Sequence, residues 1–149
     1  MSRWQPYISV ATVIERAGRF LMVEEDRGGA ETLFNQPAGH LEPGERIKEA
    51  ALRELREETA WQAGITDYLG MYVYHTPDGL TFHSHGFFGM ALAHLGNELD
   101  PTILAVHWLT LEELEALDRE GRLRSPLVLR RVRDALASRF YPMDVIHER

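Results

Sequence analysis

The sequence predicts an α/β protein in which a mixed sheet carries helices on both faces. Three observations lead there. Most of the chain reads as strands, only three segments have helical periodicity, and no repeat, low-complexity tract or linker divides the chain. At 149 residues the chain fits one domain, residues 1–149, large enough to bury a real core.

Tyr7–Glu15 and Arg19–Glu25 are β-rich runs around the turn signal Ala17–Gly18, which reads as a hairpin. Asp26–Ala30 is a polar, glycine-containing loop, and Thr32–Leu41 should be irregular or briefly extended. Pro43–Gly44 makes a turn, after which a helix is expected from Glu45 to about Thr59, with Glu45 at the positive end of its dipole. Ile65–His75 and Leu80–Leu95 read as longer strands around Pro77–Asp78–Gly79, and Ile103–Leu109 as another. Thr110 with Glu113 forms a capping box for a helix Leu111–Asp118. Ser125–Pro126 opens a last amphipathic helix, expected to reach about Phe140.

Composition narrows the function. Hydrophobic residues make up 44% and charged residues 26%, ordinary values for a globular protein. There is no cysteine, which excludes disulfides, zinc–thiolate sites and thiol nucleophiles. The formal net charge of −7 argues against a polyanionic partner such as duplex DNA. A small phosphorylated substrate remains compatible if a divalent cation mediates the contact. No apolar run approaches a membrane span, and MSRWQPYISV lacks the order of a signal peptide, so a cytoplasmic location is expected.

The anomaly lies in RELREE, at Arg53–Glu58. At about 100° per residue, with Glu54 at 0°, Glu58 falls near 40° and Glu57 near 300°. Ile47, Ala51 and Leu55 form an apolar stripe from roughly 20° to 100°, while Arg56, Glu49 and Arg53 occupy an open face from roughly 200° to 260°. Glu54 and Glu58 thus line up with the buried stripe, where carboxylates are costly unless paired or metal-bound. Two readings stay open on this pattern alone. One is a solvated, charge-rich helix laced by Arg53 with Glu49 and Glu57; the other is a site for a hard cation such as Mg²⁺.

Gly39, five residues, Glu45, seven residues and then Arg53-Glu54-Leu55-Arg56-Glu57-Glu58 resembles the Nudix box, GX5EX7REUXEEXGU with U aliphatic, here Gly39–Trp61. Ala60 stands where the box has glycine, and Trp61 is bulkier than its usual terminal residue. LFNQPAGHLE, LRSPLV and RFYP extend the likeness toward the bacterial NudJ-type phosphatases of that superfamily. The resemblance implies an α/β/α sandwich and Mg²⁺-dependent hydrolysis of phosphoanhydrides, with Mn²⁺ as a substitute. The substrates implied are nucleoside tri- and diphosphates and hydroxymethylpyrimidine diphosphate, with release of orthophosphate. Specificity for ADP-ribose, a dinucleotide or an RNA 5′ end is the alternative, and a non-catalytic Nudix-like module is another.

Carried over residue by residue, the resemblance makes Glu54 and Glu58 metal ligands, Glu57 a ligand or a partner of metal-bound water, and the Gly39 carbonyl a further oxygen donor. Arg53 would orient the glutamates, and Glu45 would pair with it. Glu98 and Asp100 are candidate downstream acids. His40, Phe34 and Arg27 are candidate substrate contacts, with Trp4, Tyr7 and Tyr74 as possible stacking surfaces. His83 and His85 alternate along a strand and could face a pocket. Glu24–Glu25 stand where several nucleotide-cleaving relatives carry arginines. The partner expected is a small phosphorylated substrate, with no DNA and no membrane, bound by a monomer or a homodimer.

Overall fold

The structure, a computed structural model, describes residues 2–149. Strand β1 (Tyr7–Arg16) turns into β2 (Arg19–Glu25), followed by short β3 (Leu33–Asn35) and β4 (Ala38–His40). Helix α1 (Ile47–Thr59) leads into the long β5 (Trp61–His75) and β6 (Thr81–His94). Strand β7 (Ile103–Thr110), α2 (Leu111–Arg119) and α3 (Leu127–Leu136) complete the main elements.

The order β3-β2-β1-β6-β5 is mixed, with β1 parallel to β6 and antiparallel to its other partners. On the side away from β6, β1 has two neighbours. β4 pairs with Ser9–Ala11 and β2 only with Glu15 and Arg16. Between them Thr12 donates to Pro37 O at 3.1 Å. From there β2 pairs with β3 and β7.

Both faces of β1 are covered, so Val10 to Ile14 form an unbroken buried run. Val10, Phe87 and Ile65 pack with Ala50 and Ala51 of α1, and Ile14 and Leu21 pack with Leu55. On the opposite face Val13, Phe20, Met22 and Leu69 pack beneath Leu114 of α2 and Val128, Leu129 and Val132 of α3. The layered α/β architecture expected from the sequence is present. No helix among the described residues is long and apolar enough to cross a membrane.

Local chemistry explains where element boundaries match the sequence and where they move. Ala17 and Gly18 both have positive φ, as a tight two-residue hairpin of this twist requires. The capping box at Thr110 and Glu113 forms with both of its hydrogen bonds. Helix α1 starts at Ile47 rather than Glu45, because Arg46 is extended and Glu45 is drawn away to accept from Glu42 N–H and from Arg53. Glu45 is therefore not a first-turn dipole residue. β5 begins at Trp61, four positions earlier than expected, since Ala60 turns the chain in a single left-handed residue, φ 59°. α3 ends at Leu136, short of Phe140, as Ser138 takes φ 55° and Tyr141 bridges to Tyr68.

Candidate active site

The site is built where β4 meets α1. Ala50, Ala51 and Leu55 anchor the helix in the core, and its register then fixes its acids. Glu58 is 7% exposed and accepts from Ala38 N–H at 2.8 Å. Burial pushes its pKa up to about 9, and the charges of Glu54 and Glu25 add to the rise. Burial also raises Glu54, opposed by a hydrogen bond and charge from Arg53. A Cβ at Gly39 would overlap the Glu54 carboxylate, so the strand backbone and this side chain touch only because residue 39 is glycine.

Arg53 binds these parts together. Its Nε and Nη2 donate to Glu45 at 2.7 and 3.0 Å, its Nη1 to Glu54 and Glu57 at 2.9 and 3.2 Å, and its Nη2 also to His40 O at 3.0 Å. This fork raises the Arg53 pKa and lowers that of Glu45. Arg53 is thus enclosed, which corrects its placement on the open face; Arg56 and Glu49 do lie there. The wheel gave the direction of Arg53 correctly, but the loop carrying Glu45 and His40 folds over it. The side chain of Glu57 is 44% exposed and borders the cluster from outside.

A cavity of about 640 Å³ opens beside Glu54 and Glu58. Of the candidates, His40, Arg27, Tyr74 and Asp100 line it. Asp100 is placed by its N–H to Glu57 O at 2.8 Å and is kept acidic by Thr102, whose N–H and hydroxyl both donate to Oδ1. Other candidates fall elsewhere. Glu98 is exposed and outside the cavity lining. Phe34 is a core residue, packed beside His107 and under Arg122, because its bridge to Leu123 turns its ring inward. Trp4 is 70% exposed, and Tyr7 stacks on Phe82 rather than lining the cavity. His83 and His85 also miss it: Phe82 and Ser84 face the cavity, and His85 pairs with Tyr68 OH.

Glu25, Arg124 and Arg131 line the cavity as well, although none is a candidate site residue from the sequence and Glu25 is noted there only for standing where relatives carry arginines. Glu25 is buried, its pKa raised by burial, and its Oε2 stands 3.6 Å from Arg27 without a hydrogen bond. Strand alternation carried the signal, since Glu25 follows Leu21 and Val23 on a buried face. Arg124 is fixed beside β3 by its N–H to Phe34 O, and burial lowers its pKa. Arg131 lies on the apolar stripe of α3 with Val128 and Ala135, the same kind of anomaly as Glu58. Glu24 and Glu25 stand where several relatives carry arginines, yet Arg27, Arg124 and Arg131 all line the cavity.

No three His, Asp or Glu side chains among the described residues close into a preformed cage. Mg²⁺ does not require one, because it keeps waters and substrate oxygens and takes only one or two carboxylates. Glu58, buried without a cationic partner, and the side-chain-free Gly39 backbone pressed to Glu54 fit such an ion.

The arrangement, paired carboxylates and arginines around one cavity, fits a hydrolase. A family model described as the NUDIX domain matches residues 4–131, and the chain belongs to the Nudix family of hydrolases. Phosphatase NudJ of Escherichia coli is 36% identical over 145 residues, covering 96% of this chain and 92% of that protein; Phosphatase NudJ of Shigella sonnei matches equally. A solved structure of a NUDIX hydrolase from Nitrosomonas europaea is similar with a TM-score of 0.92 and 34% identity, covering 97% of this chain and 98% of that one. Hydrolases of this family act on small phosphorylated substrates and generally use divalent metal ions.

Proposed function

We propose that this enzyme hydrolyses phosphoanhydride bonds of small nucleoside tri- and diphosphates and related diphosphates, hydroxymethylpyrimidine diphosphate among them, in a Mg²⁺-dependent reaction that releases orthophosphate. Mn²⁺ substitutes. The observation that carries the reading is the pairing of buried, cation-free Glu58 with Glu54 at the Gly39 backbone, on the edge of a cavity that also holds arginines. The likeness to the NudJ phosphatases supports the choice of product.

When bound, the ion neutralises phosphate oxygens and lowers the pKa of water. Glu54 and Glu58 are its carboxylate ligands in this reading, Gly39 O a further donor, and Glu57 an acceptor for bound water. Arg53 holds Glu54 and Glu57 at fixed angles, and Glu45 holds Arg53. Arg27, Arg124 and His40 offer donors to the phosphate chain, while Tyr74 and Leu80 give the ring an apolar wall. Asp100 would be the downstream acid that accepts a proton; its lowered pKa under the donation of Thr102 and its position in the cavity lining support this.

The test is phosphate release from ATP, ADP and hydroxymethylpyrimidine diphosphate, with Mg²⁺ and with excess EDTA. Loss in EDTA and recovery on adding Mg²⁺ is expected; full activity in EDTA overturns the metal-dependent reading.

A further inference from the structure

Arg131 lies in the middle of α3 and is 4% exposed, yet it lines the same cavity as Glu54 and Glu58. Its Nη1 donates to Gln36 Oε1 at 3.1 Å and its Nη2 to Ser84 Oγ at 2.8 Å, both neutral acceptors. Its Nε–H is shut off from solvent and has no partner, and Nη1 and Nη2 each keep a second hydrogen unused. A guanidinium has five N–H donors, so most of its capacity is unused. The neighbouring acid, Asp134, is already taken by Tyr72 OH at 2.8 Å, by Arg130 at 3.1 Å and by Arg139 at 3.8 Å. Among the described residues no carboxylate forms an ion pair with Arg131; the face of Tyr72, 5.5 Å from its guanidinium, is its partial compensation. Burial pulls its pKa down to about 10, which leaves it charged at neutral pH.

A buried cation without a counter-ion is costly, and native proteins rarely keep one without use. Its position suggests the use. Gln36 Nε2 donates to Val128 O at 2.7 Å, which turns Gln36 Oε1 toward Arg131. Two residues on, Ala38 N–H holds Glu58. The short segment Gln36–Ala38 therefore ties the guanidinium and the glutamate cluster to one piece of backbone. A neutral ring acceptor would leave the charge of Arg131 uncompensated, whereas a phosphate oxygen would cancel it and match the planar fork.

We propose that Arg131 is a substrate-binding residue whose unused Nη1 and Nη2 hydrogens donate to an anionic oxygen of the substrate's phosphate chain, a contact additional to the glutamate cluster. This rests on the phosphoanhydride-hydrolase reading of the cavity. Gln36 and Ser84 act as positioning residues that hold the guanidinium plane.

The experiment is calorimetric titration of the full chain with imidodiphosphate, a non-hydrolysable phosphoanhydride analogue without a ring, in the presence of Mg²⁺. Wild type is compared with Arg131→Met, Arg131→Lys and Ser84→Ala, together with their ligand-free unfolding midpoints. Arg131→Met is expected to weaken binding by about tenfold or more, with Arg131→Lys recovering part of the loss. Its midpoint should equal or exceed that of wild type, because an uncompensated buried charge is gone. Should Arg131→Met fail to fold, Arg131→Lys and Ser84→Ala decide, each with weakened binding at a near-normal midpoint. Unchanged binding with a lowered midpoint would make Arg131 structural and overturn the proposal. Weakened binding of ADP with imidodiphosphate unaffected would assign Arg131 to the ring and overturn it as well. If wild type hydrolyses its substrates but the variants bind imidodiphosphate equally well, the Arg131 role falls and the hydrolase reading stands. If wild type neither binds nor hydrolyses, both fall.

Discussion

Gly39 and Glu54 are packed so closely that a single methyl group on the first would occupy the position of the second's carboxylate. The contact joins β4 to α1 at the proposed metal position. Its closeness comes from space and not from backbone strain, since Gly39 is absent from the positive-φ residues.

Gly39→Ala should therefore fold normally and lose activity. Glu54 would have to rotate away, and its hydrogen bond to Arg53 would go with it. The expected loss in kcat/KM is on the order of tenfold to a hundredfold, as for other displaced supports of a metal site. Normal circular dichroism with a weaker Mg²⁺ requirement curve checks it; wild-type kinetics in the variant would show that Glu54 is not needed in this pose.

Glu58→Gln should reduce turnover by roughly a hundredfold or more, on the order of 3 kcal/mol in the barrier. The amide keeps the volume and removes the charge. Glu49→Gln, on the same helix but exposed and paired only with surface Arg46, is the control and should be nearly silent. Comparable losses at both positions would contradict the division of α1 into a site face and an open face.

Stability of the metal-free protein should fall as pH rises. The folded-state pKa of Glu58, about 9, lies above the ordinary 4.5, so the native state holds this proton more tightly than the unfolded chain. The associated stability is fully present below about pH 4.5 and is lost progressively as pH passes through about 9. In EDTA, the unfolding midpoint of wild type should decline more steeply between pH 5 and pH 9 than that of Glu58→Gln, and Mg²⁺ should flatten the wild-type curve. Parallel curves for the two proteins would mean that Glu58 does not carry the titration.

Ala60→Gly should stabilise the protein. Ala60 sits at φ 59°, ψ 18°, closes α1 with its N–H to Arg56 O, and is 2% exposed. A non-glycine residue there costs about 1 kcal/mol, which glycine relieves apart from its greater unfolded-state entropy. Urea denaturation should show a higher midpoint with unchanged activity. A lower midpoint would mean that the packing of the Ala60 methyl outweighs the backbone term.

The hairpin, the capping box and the long strands could be read in the sequence because each is set by local chemistry: the turn at Ala17–Gly18, Thr110 with Glu113, and β-rich runs bounded by turn residues. Glu54 and Glu58 were readable for the same reason, as acids on an apolar stripe. Phe34 was misjudged because its environment is supplied by the distant segment Arg122–Arg124. Arg131 was not singled out, and Glu25 only as a replaced arginine, although both break a periodic pattern; what brings them beside Glu54 and Glu58 is the cavity, which only the tertiary fold creates. Arg53 showed the converse limit, since a wheel places a side chain around its own helix and knows nothing of the loop above it.

The substrate range should favour small di- and triphosphates over long or capped ones. The net charge of −7 gives no attractive field for a long polyanion, whose affinity comes from many basic contacts. Within the cavity, however, Arg27, Arg124 and Arg131 stand with Glu54 and Glu58, so the cationic groups are gathered where one short phosphate chain would lie. A volume of about 640 Å³ suits a ligand of nucleotide size. The polar contacts are concentrated on phosphate, with Tyr74, Leu80 and Phe82 as a less selective wall, so tolerance of the base or ring is expected. The measurement is kcat/KM for hydroxymethylpyrimidine diphosphate, several nucleoside di- and triphosphates, ADP-ribose and a 5′-triphosphorylated RNA, with orthophosphate and pyrophosphate assayed separately. Small di- and triphosphates should lead, with orthophosphate as product. An advantage of about tenfold for RNA or ADP-ribose, or pyrophosphate as the main product from triphosphates, would overturn this substrate assignment and leave the Nudix chemistry of Glu54 and Glu58 in place.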